Sequence, residues 1–256
     1  MRAFVENGLA GCELALGLEA VTVVVDALRA SANVASMFHY GTEKLLVVRE
    51  VKQAFSEKER WADAVLVGER GGLKVPGFDL GNSPLQGPPA IPLRHVVFSS
   101  SNCSRCCVGV APAPQAFLAT TVNATATARV VLQACRRLGT ENLVFVTAGL
   151  ALNETRFTVE DHLASAAVMA SLHTLGETVE CANDRAAACR VLFDRGDQKT
   201  LTDWFTRCDN GRSLRTLGLG ADVEFAARLD VFDIPIKIAE LVDLADGSQG
   251  ALLVRA

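Results

Sequence analysis

The sequence predicts an α/β fold, a mainly parallel sheet with helices on both faces, and two observations carry that expectation. Short apolar runs rich in Val, Leu and Phe recur at 21–25, 45–48, 64–67, 96–98, 116–118 and 143–146, and amphipathic stretches fall near 31–40, 51–61, 124–138 and 159–175. This alternation of strand-length and helix-length patterns is the mark of crossover units, which join parallel strands through helices. With 256 residues, half of them hydrophobic and 6% aromatic, the chain can bury one large core or two closely joined smaller ones.

Taken in order, the first unit is the clearest. Val21–Val25 reads as a strand ending at Asp26, followed by a helix with Ser31 as N-cap and Gly41 as the residue that stops it. Residues 68–94 break the pattern, with five prolines and six glycines in 27 positions and neither helix nor strand period. So much punctuated loop inside a compact domain points to a functional segment. Thr158 through Asp161 has the form of a capping box at the start of the next long helix. Helical stretches dominate after residue 183, as in 183–194, 198–208 and 214–227. No linker composition and no fixed-period repeat occurs.

Several classes are excluded. A formal net charge of −4, with no basic run longer than Arg136-Arg137, leaves no electrostatic footprint for nucleic acid. The apolar runs are far shorter than the roughly 20 residues of a membrane helix. The N-terminal Met1-Arg2-Ala3-Phe4-Val5-Glu6 lacks the form of a signal peptide. Eight cysteines without such a signal suggest reduced thiols and a cytoplasmic location. Cys103-Ser104-Arg105-Cys106 has a zinc-like spacing, but no second pair completes a tetrahedron. No G-x-G-x-x-G follows a strand, which disfavours a nicotinamide cofactor. Leu28 stands where a haloacid-dehalogenase pattern needs a second aspartate, and Cys189 with Arg195 reads as helix interior rather than a phosphate loop. His162 and His173, within and near the end of one helical stretch, have no obvious nucleophile beside them.

Three polar segments after strand-like runs carry the chemistry, and at the carboxyl ends of strands in an open sheet they could form one site. In the first, 26–31, Arg29 offers a bidentate clamp for phosphate, and the amides that follow Ser31 offer donors at a helix start. Asp26 would face a metal. Ser31 can equally be a plain cap and Asp26 a plain strand end. In the second, 68–84, Glu69 and Asp79 are hard oxygen donors of the type magnesium prefers, while Arg70 and Lys74 suit phosphate, carboxylate or sulfonate oxygens. Asn82 adds a polar amide in the same glycine-rich run, whose structural alternative is a solvated turn-rich loop. In the third, 99–105, Ser101, Asn102 and Arg105 form a possible anion cradle, although serine clusters also make ordinary turns.

These segments also carry a resemblance. Val25-Asp26-Ala27-Leu28-Arg29-Ala30-Ser31, the whole run from Gly68 to Pro84, Asn102 after its serines, Ala148-Gly149, Val159-Glu160-Asp161, Asn183-Asp184 and Gly220-Ala221-Asp222-Val223 resemble, in order, the motifs of the 2-phosphosulfolactate phosphatase family. The likeness runs from about residue 5 to residue 238, with the run 68–84 its most specific part. It implies an α/β/α protein of two related, intertwined halves, which a boundary near residue 120 would divide into 1–120 and 121–256. It also implies magnesium dependence and hydrolysis of 2-phosphosulfolactate to sulfolactate in coenzyme M-type sulfonate metabolism. The chain departs from the family's usual Asn-Gly-Thr at Asn102-Cys103-Ser104 and from its frequent Cys-Ala-Gly at Thr147-Ala148-Gly149.

On this reading the protein is a phosphoric monoester hydrolase. Asp26, Arg29 and Glu69 are the catalytic candidates, and magnesium is held by some of Asp26, Glu69, Asp79 and Asp161. Arg29, Ser31, Arg70, Lys74, Asn82, Ser101, Asn102 and Arg105 are the candidates for holding a small anionic substrate. The alternatives are a phosphatase of another small phosphorylated acid and a non-catalytic anion-binding protein. A homodimer is the oligomeric expectation.

Overall fold

A computed structural model describes residues 1–86, 94–149, 156–193 and 197–256. The first part of the chain forms β1 (Arg2–Asn7), α1 (Gly8–Gly17), β2 (Val21–Val25), α2 (Ala30–His39), β3 (Lys44–Val47) and α3 (Val51–Arg60). There follow β4 (Val65–Arg70), β5 (Leu73–Lys74), β6 (His95–Ser99), α4 (Cys103–Val110), β7 (Gln115–Ala119), a 3₁₀ turn (Thr121–Asn123) and α5 (Ala124–Leu138). The remainder is β8 (Asn142–Thr147), α6 (Val159–Thr174), β9 (Glu180–Cys181), α7 (Asp184–Leu192), α8 (Gln198–Arg207), α9 (Asp209–Thr216), α10 (Gly220–Ala226), β10 (Ile236–Asp243) and β11 (Gln249–Arg255).

The fold is α/β, with a large, mostly parallel sheet and helices packed around it, as a three-layer α/β/α architecture requires. Its strands run in the order β5-β4-β6-β3-β11-β10-β7-β2-β8-β1-β9. All six apolar runs of the sequence are strands. β2, five residues of Val and Thr, is buried throughout, as a central strand covered on both faces must be.

β7, β2, β8, β1 and β9 form one parallel block, and β3, β6 and β4 form another. The β10–β11 hairpin lies between them and is antiparallel to both β7 and β3, so the two blocks run in opposite directions. Strands from after residue 120 interleave with those before it. Since β2 lies in one block and β4 and β6 in the other, their following loops do not share one carboxyl edge, contrary to the simple open-sheet expectation. They meet because the elements cross over. α4 follows β6 yet packs on α1 and β2 of the other block. The loop after β5 accepts hydrogen bonds from α2, with Asn33 Nδ2 3.1 Å from Asn82 Oδ1 and Ser36 Oγ 2.8 Å from the Pro84 carbonyl. One apolar core runs through both blocks, with Phe98 and Phe145 among its largest fully buried side chains.

Local details differ from the sequence expectations in three places. α2 begins at Ala30 with Arg29 at the N-cap, so Ser31 is not the cap; its hydroxyl accepts the Asp26 amide at 3.0 Å and tightens the β2–α2 turn. Gly41, at φ 102°, does follow that helix's end. Thr158 is the N-cap of α6 as expected, but no side-chain capping bond forms there, because the Thr158 hydroxyl is spent donating to Asp161 Oδ2 and Asp161 Oδ1 accepts the Ala27 amide. The segment after Gly68 is partly strand: β4 continues through Glu69 and Arg70, turns at Gly71 and Gly72 (φ 61° and 83°), and returns as β5 with Lys74. Residues 87–93 of that segment, and Arg195, lie outside the described residues.

Candidate active site

Between the two blocks lies a cleft of about 780 Å³. The end of β2 presents Asp26 and the start of α2 presents Arg29. The turn of β4 presents Glu69, Arg70 and the Gly71-Gly72 backbone. Asn82, and Ser101, Asn102 and Arg105 at the start of α4, complete that side. Across from them stand Arg156, Asn210, Ser213, Leu214 and Leu217. The cleft thus gathers eight of the residues that the sequence singles out. A smaller pocket of about 210 Å³ adjoins it and shares Arg156 and Asn210.

Asp26 is 7% exposed. Its carboxyl is pushed up to about 7, chiefly by burial and next by the charge of Glu69, while the Ala30 amide, 3.3 Å from Oδ1, works the other way. Glu69 is fixed by two main-chain amides, that of Ser101 at 2.8 Å on Oε1 and that of Gly72 at 2.9 Å on Oε2. One carboxylate therefore ties the loop after β6 to the turn after β4. Gly68 makes this possible, since a Cβ there would sit 2.0 Å from the Ser99 carbonyl oxygen.

The arginines are held as firmly. Arg29 donates to Asp222 Oδ2 at 2.6 Å and to the Gly72 carbonyl at 2.5 Å. Arg70 donates to the carbonyls of Glu69 and Arg49 at 2.7 and 2.9 Å and to Ser99 Oγ at 2.9 Å. Arg156 pairs with Asp209. With Arg49 and Arg105, five arginines face three acids, Asp26, Glu50 and Glu69, along the cleft wall. Asp222 and Asp209 offset Arg29 and Arg156, so what the cleft offers an anionic guest is fixed guanidinium donors rather than a surplus of positive charge.

Four sequence candidates stand outside the wall. Ser31 is buried in the β2–α2 turn. Lys74 is exposed and donates to the Phe78 carbonyl at 2.9 Å, and Asp79 is exposed and accepts the Leu66 amide at 2.8 Å. Asp161 lies buried beside Asp26, where Oδ1 accepts the Ala27 amide at 2.8 Å and Oδ2 accepts the Thr158 hydroxyl at 2.9 Å and the Gly149 amide at 3.4 Å. Its carboxyl is held well above the usual range by burial, then by the charges of Glu160 and Asp26. Asp161 thereby fastens the ends of β2 and β8 to the start of α6.

Sequence reasoning missed Arg49, Glu50, Arg156, Asn210 and Ser213. Arg49 and Glu50 directly follow the apolar run 45–48, so the rule that found Asp26 could have found them. Arg156 and Asn210 carry no comparable signal, and only the packing of α6 and α9 brings them in. The eight cysteines are all unbridged. Burial pushes the Cys189 thiol up to about 12 and the Cys135 thiol to about 11, as expected of thiols that serve as small apolar groups.

Among the described residues no three acid, histidine or cysteine side chains converge into a preformed metal cluster. Asp26 and Glu69 nevertheless face one cleft, where the charge of Glu69 helps to raise the Asp26 carboxyl, a repulsion that a bound cation would relieve. Magnesium commonly takes one or two carboxylates and completes its shell with water and phosphate oxygens. The donor set fits that mode.

Comparison with known proteins places this chain in a family. The family model for 2-phosphosulpholactate phosphatase matches residues 12–240. The chain is similar to a probable 2-phosphosulfolactate phosphatase of Carboxydothermus hydrogenoformans, 33% identical over 83% of each chain. It is also similar to proteins of that description from Deinococcus radiodurans, 32% identical over 91% of this chain and 92% of the other, and from Caldicellulosiruptor saccharolyticus, 30% identical over 88% and 91%. The chain belongs to the 2-phosphosulpholactate phosphatase family.

Proposed function

We propose that this protein hydrolyses the phosphate ester of 2-phosphosulfolactate, releasing sulfolactate and inorganic phosphate, with magnesium as cofactor and a place in coenzyme M-type sulfonate metabolism. The observation that carries the reading is the meeting of Asp26 and Glu69 with five arginines in one cleft. A substrate bearing phosphate, carboxylate and sulfonate needs several cationic partners around the reacting centre.

Asp26 and Glu69 would hold the magnesium ion, which supplies charge neutralisation at the phosphoryl oxygens and orientation of the attacking water. Arg29, immobilised on Asp222 and Gly72, presents a guanidinium edge to the phosphoryl group as charge develops there. The attack of water on phosphorus forms one P–O bond and breaks the ester P–O bond, and the proton lost by the water balances the one gained by the leaving alkoxide. Burial pushes the Asp26 carboxyl up to about 7 in the unliganded protein, so holding the ion would require Asp26 to give up its proton. Arg70 and Arg105 suit the acidic groups at the far end of the substrate.

Phosphate release should be measured over a panel of phosphorylated hydroxy acids that includes 2-phosphosulfolactate, with magnesium and with chelator, for the wild-type protein and Asp26→Asn. Magnesium-dependent turnover, greatest on 2-phosphosulfolactate and lost in the variant, is expected. Turnover confined to another phosphorylated acid would reassign the substrate. Thermal stabilisation by the panel without any phosphate release would replace catalysis by anion binding.

A further inference from the structure

Arg29 and Asp222 lie 193 residues apart in sequence, yet their side chains meet at 2.6 Å with 3% and 5% exposure. The other oxygen of Asp222 accepts the Ser83 hydroxyl at 2.6 Å. The second arm of Arg29 donates to the Gly72 carbonyl at 2.5 Å. Four segments are therefore joined through one guanidinium and one carboxylate: the start of α2, the β4–β5 turn, the loop after β5, and α10. Arg29 lines the cleft, whereas Asp222 does not.

A guanidinium is planar, with five donors in a fixed fork, so two bonds to partners on different segments determine both its position and its plane. The remaining donors then point in a set direction at no further cost in side-chain entropy. Without the carboxylate, the arginine would be a buried, unpaired charge, and its long stem would have a single carbonyl as anchor.

We infer that Asp222 is a positioning residue for phosphoryl transfer: it acts through Arg29, fixing the guanidinium plane that meets the phosphate, and does not touch the substrate. This rests on the phosphatase reading above and extends the site to α10.

The test uses Arg29→Ala, Asp222→Asn, Asp222→Ala and the double variants with Arg29→Ala, with kcat and KM for phosphate release and thermal unfolding measured on each. Arg29→Ala is expected to lower kcat about 10²- to 10³-fold, the scale of losing one preorganised donor to the transition state. Guanidinium ion added to Arg29→Ala should restore part of kcat, because Asp222 and the Gly72 carbonyl still hold it in place. With Asp222 also replaced, the same addition should restore nothing, and the double variant should be no slower than Arg29→Ala alone. Asp222→Asn keeps the shape and most hydrogen bonds but removes the charge, so it should retain more kcat than Asp222→Ala; should the alanine variant not fold, the asparagine pair supplies the cycle, with guanidinium rescue weakened rather than lost. Equal rescue with and without Asp222, or additive losses in the double variant, would overturn the role given to Asp222 and leave the phosphatase reading standing. Absence of phosphate release by the wild-type protein would overturn both.

Discussion

At the scale of single residues, the raised carboxyl of Asp26 has a consequence for stability. A carboxyl near 7 in the folded protein and near 3.8 in the unfolded chain makes the folded state hold its proton through that interval. Folding is then favoured most below about pH 4, and the advantage is lost as pH rises through about 7. At pH 8 in chelator, ionised Asp26 should cost on the order of 4 kcal/mol, so Asp26→Asn should melt several degrees above the wild type. The gap should close toward pH 4. Equal melting temperatures at pH 8 would show that burial of this charge is not costly. His162 has the opposite sign: burial, above all, lowers it to about 4, so its contribution is present above about 6.5 and lost as pH falls toward 4.

At the scale of elements, the turn after β4 separates residues that look equivalent in sequence. Arg70 and Lys74 are four positions apart, but Arg70 faces the cleft while Lys74 lies on β5 with its ammonium on the Phe78 carbonyl. Arg70→Ala should raise KM for the anionic substrate by about tenfold or more, in line with the loss of a charge-assisted bond. Lys74→Ala should leave kcat/KM within about twofold, since its bond is local and half in water. Steady-state kinetics on the pair decides this, and a large Lys74 effect would place β5 in the site. Gly68→Ala should drive β4 from β6, because the new methyl group meets the Ser99 carbonyl oxygen rather than a yielding side chain. A destabilisation of about 2 kcal/mol or more, read from urea unfolding, is expected, together with loss of turnover as Glu69 and Ser101 move apart.

For the whole molecule, the β10–β11 hairpin bonds the two parallel blocks into one sheet over a shared core. The protein should therefore unfold in a single transition. Its two tryptophans, Trp61 just after α3 and Trp204 in α8, allow a direct check: fluorescence of Trp61→Phe and Trp204→Phe should give coincident midpoints, once corrected for each variant's own stability. Separate midpoints would mean that the blocks melt independently. Among the described residues no helix is long and apolar enough to cross a membrane.

The sequence by itself determined the α/β class and six strands, because buried strands must be continuously apolar and the helices between them must be two-faced. It also marked eight residues of the cleft, through three polar segments after strands, whose acids, arginines and amides have no use in a core. Other features were decided only by tertiary structure. The strands β1, β10 and β11 and the short cysteine-rich α4 carry weak periodicity and become ordered by pairing and packing on neighbours distant in the chain. Whether Glu69 or Asp79 faces the cleft depends on where β4 ends and how Gly71 and Gly72 turn. That Asp222 should hold Arg29 across 193 residues depends on α10 coming against the start of α2 and the loops after β4 and β5, which no local pattern of residues encodes.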